Sequence, residues 1–317
     1  MTTNKRTDFK YLKSKTKHRT NSNQNDNMKI TAIIPTYNNE TTIKECIESL
    51  KNQTLKISET ILIDSNSKDK TREIAKRLQC TVYNIKSNRS EARNIGAKKA
   101  KNNIIAFIES DSVYDKNWSK YVHEEFKKGA NAVIDRRAVH KPKTLISKIN
   151  NEIFNIRCKN YTPFSMWIIK KDLFQKLKGF DETLEAAEDR DFGDRLIKSN
   201  HKISFAKKAI QYHKGEPSTL KETLTRAWWF GKHMPKYYKK HKEKIPYTRM
   251  ILFMILNISI LIPKLFLLLI VCLYTFTAIK NIKTDLKLKY SIPYAGIAIL
   301  REESSFIATI LKVLHII

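Results

Sequence analysis

The stretch NIIAFIESDS, Asn103 to Ser112, decides how the chain is read. Its apolar run, Ile104 to Ile108, has the length and continuity of a strand buried on both faces. The run ends on Glu109 and Asp111, and residues i and i+2 of a strand point to one side, so both carboxylates aim into one small volume. Two negative charges held that close call for a cation or a proton between them. A purely structural alternative stays open at this point, in which Asp111 or Ser112 caps a following helix.

Upstream, strand and helix patterns alternate. KITAIIPTY (Lys29 to Tyr37) reads as a strand, and ETTIKECIESLKNQ (Glu40 to Gln53) places Ile43, Cys46, Ile47 and Leu50 on one helical face. ETILIDS, DKTREIAKRL, CTVYNI and RSEARNIGAKKAK then read as strand, helix, strand and helix before NIIAFIESD. This βαβαβα order predicts an α/β fold, a Rossmann-like, mostly parallel sheet with helices on both faces. In such sheets ligands sit outside the carboxyl ends of the strands, where Pro35 to Asn39, Asp64 to Ser67 and Glu109 to Asp111 fall. With 7 Gly in 317 residues and no G-x-G-x-x-G or G-x-x-x-x-G-K-[ST] after the first strand, a glycine-lined phosphate cradle is not expected. A bound diphosphate would instead need a divalent cation on the acidic pair.

The formal net charge is +29, which points to anionic partners: phosphate-bearing substrates, nucleic acid or an acidic membrane face. Cys46, Cys80, Cys158 and Cys272 show no C-x-x-C spacing, which argues against a zinc site or a disulfide framework and for a reducing compartment. Residues 1–27 are polar and basic without an apolar core segment, so they read as a disordered tail rather than a signal peptide. Met28, directly before the first strand, is an alternative start.

Four segments in order resemble family 2 inverting glycosyltransferases of the GT-A fold, over roughly residues 29 to 235. They are ITAIIPTYNNE, ILIDSNSKDKT, SEARNIGAKKAKNNIIAFIESDS, and KGFDETLEAAEDRDFGDRL followed by IQYHKGE. The resemblance implies a catalytic domain over 28–235 that binds a nucleoside diphosphate sugar donor with Mg²⁺ or Mn²⁺. It implies that Pro35, Thr36, Tyr37 and Glu40 line the base and ribose pocket and that Asp64 accepts a hydrogen bond from the base. Arg93 would support the nucleotide or its phosphates, and Glu109 and Ser110 would sit near the ribose and metal. Asp111 would be the direct metal ligand and His213 a late ligand to metal or diphosphate. Asp189, second in the pair Glu188-Asp189, would be the general base, with Glu188 towards the acceptor side. A helix-dipole role explains Glu188 and Asp191 equally well, with Arg190 and Arg195 as partners. Three departures from the family pattern bear on donor identity more than on fold. Glu109 stands for the usual first Asp of D-x-D, Ser65 for a common second Asp, and Lys178 for a Gly before the G-F-D-E segment.

TRAWWFGKHMPKYYKK, Thr225 to Lys240, sets Arg226 beside Trp228 and Trp229. Arg226 and Trp228 suit an acceptor contact through phosphate binding and ring stacking, and an amphipathic helix at a membrane interface accounts for the same residues. Residues 236–317 read as a membrane-associated helical region, with apolar helices at about 250–279 and interfacial helices over 292–317. Pro263-Lys264 interrupts the apolar stretch and both flanks are basic. That favours a re-entrant hairpin bent at Pro263 over a single kinked span, with the catalytic domain on the cytoplasmic face of the cell membrane. The sequence therefore predicts a metal-dependent transferase acting on a lipid-linked or glycan acceptor. A basic nucleic-acid-binding protein lacks a recognition motif here, so no nucleic-acid partner is expected, and a nucleotidyltransferase would need the glycine-rich loop that is missing.

Overall fold

The computed structural model describes residues 28–159, 167–242, 263–283, 286 and 288–313. The tail at 1–27 and the first part of the apolar stretch, 250–262, lie outside the described residues. The chain divides into two compact units, one made of residues 1–140, 157–183 and 188–215, the other of 141–156, 184–187 and 216–317.

The first unit carries the sheet. Its elements run β1 (Ile30–Thr36), α1 (Ile43–Lys51), β2 (Glu59–Asp64), α2 (Thr71–Arg77), β3 (Thr81–Asn84), α3 (Arg89–Lys99) and β4 (Ile104–Phe107). They continue with β5 (Ser112–Tyr114), α4 (Trp118–Lys127), β6 (Ala132–Val139), α5 (Leu145–Lys159), β7 (Trp167–Lys170), α6 (Lys171–Lys176), α7 (Glu188–Lys198) and β8 (Ile203–His213), with most of α5 belonging to the second unit. The strand order is β3-β2-β1-β4-β7-β6-β8-β5. β1 to β4 are parallel as the alternating pattern requires, and Ile43, Cys46, Ile47 and Leu50 are the buried face of α1.

The expectation of a mostly parallel sheet is corrected to a mixed one. β7 runs antiparallel to both β4 and β6, and β5 antiparallel to β8. β5 and β7 are three and four residues long, too short for either to carry a periodicity that announces its direction. The helix-cap alternative for Asp111 also falls away, because Ser112 opens a strand and not a helix.

Buried apolar side chains fill both faces of the sheet. Ile30, Ala32, Ile34 and Leu62 pack with α1 and Trp118 on one side. Ile33, Ile61, Ile63 and Phe107 pack with Phe174, Phe180 and Phe192 on the other. This two-sided burial is why the strands read as continuous hydrophobic runs. Helix α3 seats closely on β1 at Gly96, where a Cβ would overlap the Ile33 side chain.

In the second unit, α8 (Leu220–His241) starts with a capping box: Thr219 accepts from the Glu222 amide, and the Glu222 carboxylate accepts from the Thr219 amide. Helices α9 (Pro263–Lys283) and α10 (Leu288–Val313) follow. Thr309 Oγ1 of α10 donates to the Gly231 carbonyl of α8 at 3.0 Å and Ser304 Oγ to that of Leu224 at 3.0 Å, an approach that Gly231 permits by having no side chain. Pro263, expected at a bend, is the first residue of α9, where its missing N–H costs nothing, and the segment before it lies outside the described residues. The interfacial helices expected over 292–317 are, as far as residue 313, one helix beginning at Leu288. Among the described residues no helix is long and apolar enough to cross a membrane.

Gly96→Ala is expected to lower unfolding stability by about 1–2 kcal/mol, since overpacking against Ile33 outweighs the gain in helix propensity. Urea unfolding measures this. In an Ile33→Ala background, which removes the Cγ2 that the new Cβ would overlap, Gly96→Ala should cost less.

Candidate active site

Three strand ends meet. In the register of the sheet Thr36 lies beside Asp64, so β1 and β2 end at one level, while β4 ends at Phe107 beside Ile33 and its continuation from Ile108 leads towards the same rim. The loops then bind one another. The Asn38 amide donates to Ser67 Oγ at 2.8 Å, the Lys68 amide to Asn38 Oδ1 at 2.8 Å, and Ser110 Oγ to Asn39 Oδ1 at 3.0 Å. Asn38 and Asn66 hold the tips with φ of 50° and 58°, a region that asparagine tolerates better than most residues.

The nucleotide side named from the sequence is distributed along this rim. Pro35 and Thr36 end β1, and Thr36 Oγ1 donates to Asn39 Oδ1 at 2.9 Å. Tyr37 is exposed, and Glu40 Oε2 accepts from the Lys70 amide at 2.9 Å. Asp64 is fully buried at the end of β2, accepting from the Ser67 amide and hydroxyl, with Arg72 Nε 3.4 Å away.

Beyond β4 the carboxylates of Glu109 and Asp111 converge with His213, delivered by the end of β8. His213 Nε2 lies 3.2 Å from Asp111 Oδ1 and 3.5 Å from Glu109 Oε2. One ligand atom from each of the three lies within 4.8 Å of the others. Two carboxylate oxygens and an imidazole nitrogen are a donor set that fits Mg²⁺ or Mn²⁺. Gly215, two residues past His213, closes one side: a Cβ there would overlap Asp111 Oδ2 and come within 3.0 Å of His213 Cε1. Burial would raise both carboxyl pKa values, but opposing charge wins. Arg137, at 3.2 Å, and then His213 hold Glu109 below the usual carboxylate range, and the His213 hydrogen bond does the same for Asp111.

Asp189 behaves in the opposite sense. It lies in the first turn of α7, after Ala187, whose φ of 60° is a strained value for alanine. Burial, followed by the charge of Glu188 next to it, raises the Asp189 carboxyl to about 6, and the Glu109 charge adds to the rise. The two acidic groups therefore share one electrostatic environment. Glu188, placed on the acceptor side from sequence, is buried and paired with Arg93 at 2.8 Å, and Asp191 pairs with Arg195 at 2.8 Å.

Three residues of the A-R-N-x-G segment of α3 thus have a use. Arg93 holds Glu188, and Asn94 accepts from the Phe180 amide at 2.9 Å while donating to the Phe180 carbonyl and to Glu182. Gly96 lets the helix onto β1. Arg226 and Trp228 lie in the second unit, where Arg226 pairs with Glu216 at 2.7 Å and Trp228 is exposed. Sequence reading placed Asn39 on the rim without a role, and missed Arg137, Gln211 and Gly215. Gln211 precedes His213 by two residues and so shares its strand face, a signal that was available. Arg137 offered none, because its strand was not recognised.

Residues 31–183 match the sequence profile described as Glycosyl transferase family 2. The chain carries a family 2 glycosyltransferase domain. This domain is 29% identical over 209 residues to the O-antigen chain rhamnosyltransferase RfbN of Salmonella typhimurium, an alignment covering 59% of this chain and 66% of the relative. It is 25% identical over 256 residues to the poly(ribitol-phosphate) beta-N-acetylglucosaminyltransferase TarS of Staphylococcus aureus, covering 73% of this chain and 41% of the relative. The chain thus spans about two thirds or less of these relatives' lengths. Among solved structures, the mannosyltransferase PcManGT from Pyrobaculum calidifontis in complex with GDP-Man and Mn²⁺ superposes with a TM-score of 0.55 at 16% identity, covering 91% of this chain and 87% of that one. The glycosyltransferase domain therefore has a GT-A-like fold, built on a mixed sheet.

For an acid whose folded pKa lies above its unfolded value of about 4, ionisation penalises the fold above about pH 6, and the penalty vanishes below about pH 4. Asp189→Asn is neutral throughout. It should be more stable than the parent by about 1–3 kcal/mol at pH 8, with the advantage fading as pH falls from 6 to 4. Urea unfolding at pH 8 and at pH 4.5 measures the difference.

Proposed function

We propose that the protein is a metal-dependent inverting glycosyltransferase. It moves a sugar from a nucleoside diphosphate sugar to a lipid-linked or glycan acceptor at the cytoplasmic face of the cell membrane. The observation that carries this reading is the pairing of opposite electrostatics in one site. Glu109 and Asp111 are held ionised beside His213, while Asp189, raised to about 6, is poised to take a proton near neutral pH.

In this reading Thr36, Tyr37, Glu40 and Asp64 receive the nucleotide, and Asp111 and His213 hold the cation. Held there, Mg²⁺ or Mn²⁺ would supply charge neutralisation for the diphosphate, so that side would need no protein acid. Asp189 removes the proton of the acceptor hydroxyl as its oxygen attacks the anomeric carbon. The new C–O bond forms as the bond to the diphosphate breaks on the opposite face, which inverts the centre. The negative charge of Glu188, held in place by Arg93, keeps Asp189 basic.

The structural neighbour carrying GDP-Man and Mn²⁺ supports a nucleotide sugar and a divalent cation. Relatives named for O-antigen and poly(ribitol-phosphate) support a cell-envelope glycan as acceptor. The net charge of +29 and the apolar composition of α9 support seating of residues 236–317 on an anionic membrane face.

A donor screen by nucleoside diphosphate release, with Mn²⁺ or Mg²⁺ and detergent-solubilised protein, tests the reading. Asp189→Asn should reduce transfer by at least about 10³-fold while donor binding stays within a few-fold, whereas Asp111→Asn should lose metal-dependent donor binding as well. Parental turnover in the Asp189 variant removes it from the base role.

The pH dependence has a defined sign. The base must be ionised, so kcat/KM should fall about tenfold per pH unit below about 6 and level off above it. A flat profile between pH 5 and 8 would contradict the assignment.

A further inference from the structure

Glu109 is gripped from two strands at once. Arg137 of β6 and Gln211 of β8 are direct partners in the sheet register. Arg137 Nη1 reaches Glu109 Oε1 at 3.2 Å, and Gln211 Nε2 donates to Glu109 Oε2 at 2.5 Å. The same Gln211 nitrogen lies 2.9 Å from Ser112 Oγ, on the residue that follows Asp111. Gln211 is fully buried, and its Oε1 has no hydrogen-bond partner among the described residues. Leaving a buried amide oxygen unmet is costly, so packing alone would favour an apolar residue here. What the amide gives in return is the bond to Glu109.

The spacing along β8 extends the point. Gln211 and His213 are i and i+2 on one strand face, and Gly215, in the turn just past the strand, lies against Asp111. One strand and the turn after it therefore set the carboxylate of Glu109, supply the imidazole and confine the carboxylate of Asp111.

We propose that Gln211 is a positioning residue for the cation site: its buried amide, acting with Arg137, fixes the Glu109 carboxylate and with it the separation of the two acidic groups that face His213. This rests on the metal reading above, and Gln211 itself touches neither cation nor substrate. Residues that orient a metal's ligands typically change affinity 10- to 100-fold when lost.

The test is Mn²⁺ binding to the full chain without donor, followed by the electron paramagnetic resonance signal of free Mn²⁺. Gln211→Met keeps the length and removes the donor, and should weaken Mn²⁺ binding about tenfold or more. Gln211→Asn keeps the amide one methylene short and should fall between Met and the parent. If one variant fails to fold, as judged by circular dichroism, the other carries the comparison. Parental Mn²⁺ affinity in the folded variants overturns the proposal. Asp111→Asn separates this from failure of the metal reading: if it too binds Mn²⁺ like the parent, the cation site itself is wrong. If it abolishes binding while Gln211→Met does not, only the role of Gln211 falls.

Discussion

Everything in the site answers to one electrostatic problem, the placing of two carboxylates two residues apart at the end of a fully buried strand. Ile104 to Ile108 are all buried, so the chain emerges from a low-dielectric interior directly into negative charge. Left alone, burial would push both acids towards neutrality. Arg137, His213 and the Gln211 amide, drawn from β6 and β8, keep them ionised. The far half of the sheet thus exists, in electrostatic terms, to make the end of β4 tolerable.

The counterpart is the first turn of α7. There burial and the neighbouring charge of Glu188 outweigh the Arg190 amide and the charge of Arg93, so the Asp189 carboxyl is raised. The site separates charge states by where it spends its cations. Glu109 and Asp111, the proposed cation site, lie beside Arg137 and His213, whereas Asp189, the proposed base, lies beside the acidic Glu188.

The first half of the fold was legible because β1 to β4 are buried on both faces and separated by helices of clear period, and because charge and turn chemistry mark the strand ends. Asp64, Glu109 and Asp111 could be named on that basis, and the resemblance added His213 and Asp189. The second half was obscure for physical reasons. Strands of three and four residues have no usable periodicity, and β6, AVIDRRAV, buries a carboxylate and carries two arginines in mid-strand where alternation should reveal it. Arg137 was hidden for that reason. In the C-terminal region Pro263 opens a helix, and its rigid ring suits a helix start as well as a break.

The three-residue strand β5 has a mechanical consequence. It starts at the residue after Asp111 and pairs at once with β8, Ser112 opposite His213, while the Lys214 amide donates to the Asp111 carbonyl at 2.9 Å. No slack separates the acid from the imidazole: the two are rungs of one ladder, although 102 positions of chain divide them. Loops elsewhere on the rim can open and close around a ligand without stretching that gap, so the entropy of bringing these two groups together is spent during folding and not again at each turnover.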